Sequence, residues 1–208
     1  MKKKILFAAL ALLMTMVANA QFKYGIKAGM NISQLGTASM EGKSSGPASD
    51  MKIGFHIGVH ANYSFTDLMG LQAEAVFSMQ GGSFTGLYDD DDGNAYKAKV
   101  KRTLNYINIP VLFEIKPFDD FSIFIGPQFG FNIYKSASAM GTTMSGSDFK
   151  KTGWDVNTVD IAAVAGAQYT IMGQFLISAR YNFGFTNTAD SFKGYCNRVI
   201  QIGLGYQF

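Results

Sequence analysis

The 208-residue chain is 48% apolar and 14% aromatic, with 23 Gly, 4 Pro and only 16% charged residues, against about 25% charged in ordinary soluble domains. Ample apolar surface without extreme net charge excludes disorder, and Cys196, the only cysteine, excludes a disulfide scaffold. The length suits one folded domain.

Residues 1–20 read as an export leader. Lys2, Lys3 and Lys4 form a positive start, and Ile5 to Val17 an apolar core of 13 residues, short of the roughly 20 that span a bilayer. Ala18-Asn19-Ala20 puts small residues at the two positions a signal peptidase reads, which predicts cleavage before Gln21. The division is a signal peptide over 1–20 and one domain over 21–208. Three of the 18 Lys and Arg lie in the leader, so the mature 188 residues carry 15 basic and 15 acidic groups. That neutrality removes the usual ground for nucleic-acid binding.

Beyond residue 21 no run of 18 apolar residues occurs, so no transmembrane helix is expected. Period-2 alternation instead predicts eight strands over 22–33, 52–65, 69–80, 101–116, 120–134, 157–170, 174–186 and 197–208. Thr66 to Leu68, Pro117 to Asp119 and Ile171 to Gly173 are tight turns. The other connections, 34–51, 81–100, 135–156 and 187–196, are longer and rich in Ser, Gly, Asp and Lys. Short turns at one end and long polar loops at the other match an outer-membrane barrel.

Sorting by parity sharpens this. One face carries Ile26, Met30, Phe55, Ile57, Ala73, Phe77, Ile109, Ile123, Ile161, Tyr181, Ile202 and their alternates, with no charge. The other carries Lys27, His56, His60, Glu74, Asn108, Glu114, Asp160 and Arg180, together with most strand glycines. Crowded small and polar residues suit the inside of a narrow barrel, and a bulky uncharged face suits lipid. At the short-turn end, Tyr24, Tyr63, Phe113, Phe121, Tyr169, Phe175, Tyr206 and Phe208 fall on the apolar face in seven of the eight strands. They read as one interfacial aromatic girdle on the periplasmic side.

Tyr24-Gly25-Ile26-Lys27-Ala28-Gly29-Met30-Asn31, Gly54-Phe55-His56-Ile57-Gly58, Leu71-Gln72-Ala73-Glu74, Tyr106-Ile107-Asn108-Ile109-Pro110, Gly126-Pro127 and the closing Ile202 to Phe208 resemble the outer-membrane β-barrel family that contains the PorT-like proteins of Bacteroidetes. The likeness runs strand by strand through nearly the whole mature chain and leaves the long loops unmatched. It implies the same barrel, and for part of the family a secretion role. The terminal Phe208 resembles the signal by which such proteins are recognised for assembly.

The candidate sites are few. His56 and His60 share the inner face but lie about 13 Å apart along the strand, too far to hold one metal together. Lys27, Glu74, Glu114, Asp160 and Arg180 form either a structural network that plugs the lumen, the favoured reading, or a gated ion or proton path. Asp89 to Asp92 followed by Gly93 fail as a calcium loop, because alignment on the glycine puts Tyr88 and Lys99 at ligand positions one and twelve. Lys97, Lys99, Lys101 and Arg102 follow, able to pair with that acidic run or with lipid phosphates. No Gly-x-Ser-x-Gly context, phosphate loop or Cys-based metal motif is present, and Cys196 reads as incidental.

The reading is an all-β, eight-stranded antiparallel up-and-down transmembrane barrel, monomeric and exported to the outer membrane of a Gram-negative bacterium of Bacteroidetes type. It is expected to be non-enzymatic, without cofactor or metal. The expected contacts are outer-membrane lipid and lipopolysaccharide, the assembly machinery through the last strand, and a secretion or envelope protein. The competing reading is a small pore for ions or small solutes.

Overall fold

A computed structural model describes residues 22–37, 49–89, 95–139, 142–145, 156–188 and 195–208. The leader, its cleavage position and Asp90 to Asp92 lie outside these residues. The strands are β1 Phe22–Thr37, β2 Lys52–Ser64, β3 Met69–Asp89, β4 Ala95–Phe118, β5 Phe121–Ala139, β6 Thr142–Ser145, β7 Val159–Ile171, β8 Phe175–Gly184 and β9 Tyr195–Gln207. Every long strand pairs antiparallel with its neighbour in sequence, and β9 pairs back onto β1, closing a ring of eight. Closure matters in lipid, where an unpaired sheet edge would leave backbone groups without partners.

The eight ring strands sit where alternation placed them, although β1 and β5 run on to Thr37 and Ala139 into segments expected as loops, and two larger features exceed it. Strand β6 is additional: among the described residues its four residues pair with the end of β5 alone, from Ser136↔Ser145 to Ala139↔Thr142. Ser and Thr on both sides of that ladder gave no apolar alternation to read. The segment 81–100, expected as a loop, is mostly ladder. Strands β3 and β4 stay in one register from Met69↔Ile115 to Asp89↔Ala95, so the hairpin stands well beyond the apolar band.

The opposite end closes tightly. Met172 and Gly173 both take positive φ, 52° and 71°, and Gln174 N donates to Ile171 O at 3.2 Å. Two successive left-handed residues give the turn whose twist matches a hairpin. Gly173 meets that demand without strain.

The faces are those of a protein turned inside out. Ile26, Phe55, Ile109 and Ile202 are 53%, 47%, 40% and 54% exposed on the outside, whereas Lys27, Glu74 and Arg180 keep only 8%, 5% and 5% within. The inner face is nevertheless less polar than alternation suggested. Leu112, Phe124 and Val164 form one buried apolar cluster, and Leu35, Leu104, Tyr106 and Val156 another. They lie on the inner face with Asn108, Glu114 and Gln128, but each cluster is assembled from different strands, so no single strand shows it as an apolar run.

Candidate functional site

The lumen gathers the chain's buried polar chemistry. Glu74, projecting inward from β3, accepts Lys27 Nζ from β1 on Oε2. Its Oε1 accepts Arg180 Nη1 at 2.6 Å and Gln72 Nε2 at 2.5 Å. Strands β3 and β8 are four places apart whichever way the ring is counted, so the Glu74–Arg180 pair crosses the full width of the barrel. The guanidinium also lies 5.2 Å from the Phe124 ring centroid, where a cation–π contact adds to the ion pair. Two cations share one carboxylate, all more than nine-tenths buried.

The histidines line the same face. Asn31 Nδ2 donates to Phe55 O, Ser78 Oγ and Met79 O, so its Oδ1 faces the other way. That oxygen accepts Gln201 Nε2 at 3.0 Å and His56 Nδ1 at 2.8 Å, and His56 therefore carries a proton on Nδ1. His60 pairs across the sheet with Glu74 and Gly25, and neither of its ring nitrogens has a hydrogen-bond partner. Among the described residues no group of three His, Cys, Asp or Glu side chains is placed to hold a metal ion.

Two glycines of β1 are held by their crowded surroundings. A Cβ on Gly25 would fall 2.2 Å from Tyr206 O and 2.5 Å from His60 Cε1, and one on Gly29 2.1 Å from Ile202 O and 2.7 Å from His56 Cε1. The backbone of β9 and the two imidazoles together leave no room for a side chain there. Gly25→Val is expected to cost about 1–3 kcal/mol by overpacking, read as a lower urea midpoint for the lipid-reconstituted barrel. Ala28→Val, on the exposed outer face of the same strand, should leave that midpoint nearly unchanged.

The remaining inner charges sit apart. Toward the short-turn end Glu114 accepts Asn62 Nδ2 at 2.5 Å and meets Lys116 Nζ at 3.3 Å. These residues line a polar cavity of about 70 Å³ with Lys23, Asp119, Asp120 and Gln168. Toward the long-loop end Asp160 accepts hydrogen bonds from Thr186 Oγ1 and Asn197 Nδ2, and a cation is not needed to hold it. The aromatic positions lie at the short-turn end: Tyr24 stacks on Phe208 at 5.4 Å, and Tyr206 meets Phe208 at 5.1 Å and Phe175 at 5.4 Å. Phe121 faces Tyr169 across the ladder, while Tyr63 at 40% and Phe113 at 38% exposure look outward. Cys196 is buried and free.

What alternation alone did not disclose is the partnership across the lumen: Phe124 beneath Arg180, with Leu112 and Val164 packed beside it. A family model described as an outer membrane protein beta-barrel domain matches residues 17–190. Among solved structures, Ail, the attachment invasion locus protein of Yersinia pestis, is similar at a TM-score of 0.50 and 15% identity, over 90% of this chain and 99% of that one. Neisserial surface protein A is similar at a TM-score of 0.57 and 11% identity, over 89% of this chain and 97% of that one. At such identities the likeness speaks for the fold. No curated protein matches the sequence.

Proposed function

This chain belongs to the family of outer membrane protein beta-barrel domains, and from that membership we propose that it is a non-enzymatic barrel with a sealed lumen, working through its long-loop end. Membership implies the outer membrane as its location. The observation that carries the reading is the ion pair from Glu74 to Arg180 across the lumen, seated on Phe124 with Leu112 and Val164 beside it. A charged tie seated on an apolar cluster supports a lumen closed to solutes. Rigid barrels with long connections present those connections for recognition. The long-loop end then lies outside the cell and the aromatic residues mark the periplasmic interface.

A planar-bilayer recording tests the seal. The parent protein and Arg180→Leu are both expected to show conductance near zero, because the apolar cluster persists in the variant. A large, stable conductance in the parent protein would replace this reading with the small-pore one. The role at the loop end is that of a PorT-like secretion or envelope accessory, supported by the strand-by-strand resemblance. It is tested by co-purification from Bacteroidetes-type envelopes, where recovery of secretion or envelope components is the expected result.

A further inference from the structure

The polar cavity beside Glu114, at the short-turn end, measures about 70 Å³, room for about two water molecules. Its charged lining is Lys23 from β1, Glu114 and Lys116 from β4, and Asp119 and Asp120 from the turn into β5. Three carboxylates against two ammonium groups leave it with one negative charge in excess. These charges are not equally committed. Lys116 Nζ meets Glu114 at 3.3 Å and donates to Ser64 Oγ at 2.9 Å. Asp119 and Asp120 are exposed, and among the described residues neither is in an ion pair. Their turn is itself fixed to the wall, because Thr170 N of β7 donates to Asp120 O at 2.8 Å.

The same cavity holds a stranded acceptor. Asn62 lines it and is only 3% exposed. Its Nδ2 is taken by Glu114 Oε2 at 2.5 Å, and its Oδ1 has no hydrogen-bond partner. A bare buried amide oxygen costs free energy that a donor entering the cavity recovers. Lys23 stands opposite Asn62 in the β1–β2 ladder but is exposed and makes no bond to that oxygen.

We propose that this mouth is a binding site for a primary ammonium group at the end of an unbranched alkyl chain. Its chemistry selects among cations. An ammonium head is compact and offers three donors, one for Asn62 Oδ1 and the others for the free carboxylates. A guanidinium spreads five donors over a planar fork, too wide for so small a space. A divalent ion asks for a cage of oxygens, and among the described residues no three acidic, His or Cys side chains are placed to hold one. An anion would meet an excess of negative charge. The group can belong to a free aliphatic diamine or to a lysine-type side chain of a peptide, since both present the same head. The site lies at the opposite end from the long loops and does not depend on whether the lumen conducts.

The test is a nuclear magnetic resonance titration of the full mature barrel in neutral detergent, reading the Asn62 side-chain amide and the Asp119 and Asp120 backbone amides. The probes are pentylamine, cadaverine, lysine capped at both ends, and tetramethylammonium, all at one ionic strength. Saturable shifts are expected with the primary amines and none with tetramethylammonium, which has no N–H to donate. A carboxylate at contact distance in water contributes about fivefold, so Asp119→Asn/Asp120→Asn should weaken pentylamine binding about twentyfold. Lys23→Gln removes a competing cation and should tighten it about fivefold. Asp67→Asn, on another short turn and outside the cavity lining, should leave it unchanged. All these positions are exposed, and unchanged urea midpoints verify that the variants fold. Equal shifts with tetramethylammonium, as large a loss in Asp67→Asn as in the double variant, or looser binding in Lys23→Gln overturns the proposal. Capped lysine binding as tightly as pentylamine identifies a peptide side chain as the source, whereas binding of the free amines alone identifies a diffusible one; either supports the site.

Discussion

Glu74→Gln is expected to lower the unfolding free energy of the reconstituted barrel by about 3–5 kcal/mol, the cost of stranding buried charge when one partner of a buried pair is removed. Among the described residues Glu74 is the carboxylate that pairs with both Lys27 and Arg180, and both cations keep less than a tenth of their surface. Without it, two like charges face each other in a medium that screens them poorly. Glu114→Gln should cost far less, since the side chain of Lys116 is 18% exposed and can return to water. Replacing all three members, as in Lys27→Met/Glu74→Leu/Arg180→Met, should recover most of the loss, because an apolar isostere avoids the desolvation of every charge at once. Urea midpoints of the three variants in one lipid decide the matter. A Glu74→Gln midpoint equal to the parent's would mean that the cross-lumen tie contributes nothing to stability.

Ile202→Arg should cost about 2–4 kcal/mol, the penalty for a cation at the bilayer midplane of a barrel. Ile202 is 54% exposed on the outer face and lies four residues from Tyr206 at the aromatic end, about 10 Å of barrel height. That puts it near the middle of the apolar band. The same change at Thr103, on the outer face only two residues from Lys101, should cost about 0–1 kcal/mol, as expected near an interface. Equal penalties at both depths in a lipid-based unfolding titration would contradict the placement of the membrane along the barrel.

Most of the fold was legible because strand periodicity is strictly two. Once Ile26, Phe55 and Ile202 define an outer face, Lys27, His56 and Gly203 must define the inner one. Turn and loop lengths told the two ends apart for a similar reason: a tight reversal such as Ile171 to Gln174 needs particular residues, whereas the Ser-rich connections do not. Strand β6 and the upper part of the β3–β4 hairpin carry no strand signal in the sequence, because their residues, Thr142 to Ser145 and Gly82 to Asp89, do not alternate in polarity. Leu112, Phe124 and Val164 come from three different strands and are flanked on their inner rows by Pro110, Glu114, Ser122, Gly126, Ala162 and Gly166, so no local apolar run marks the cluster.

Parity and composition alone determined which residues meet lipid and which meet the lumen, since that choice is local to each strand. Only ring closure decided who meets whom inside. Arg180 and Glu74 are 106 residues apart in the chain, and Lys27 and Glu74 are 47 apart. No local rule relates such positions. Their contact follows from the number of strands in the ring, the stagger of the ladder, and an interior so narrow that side chains from opposite walls must touch.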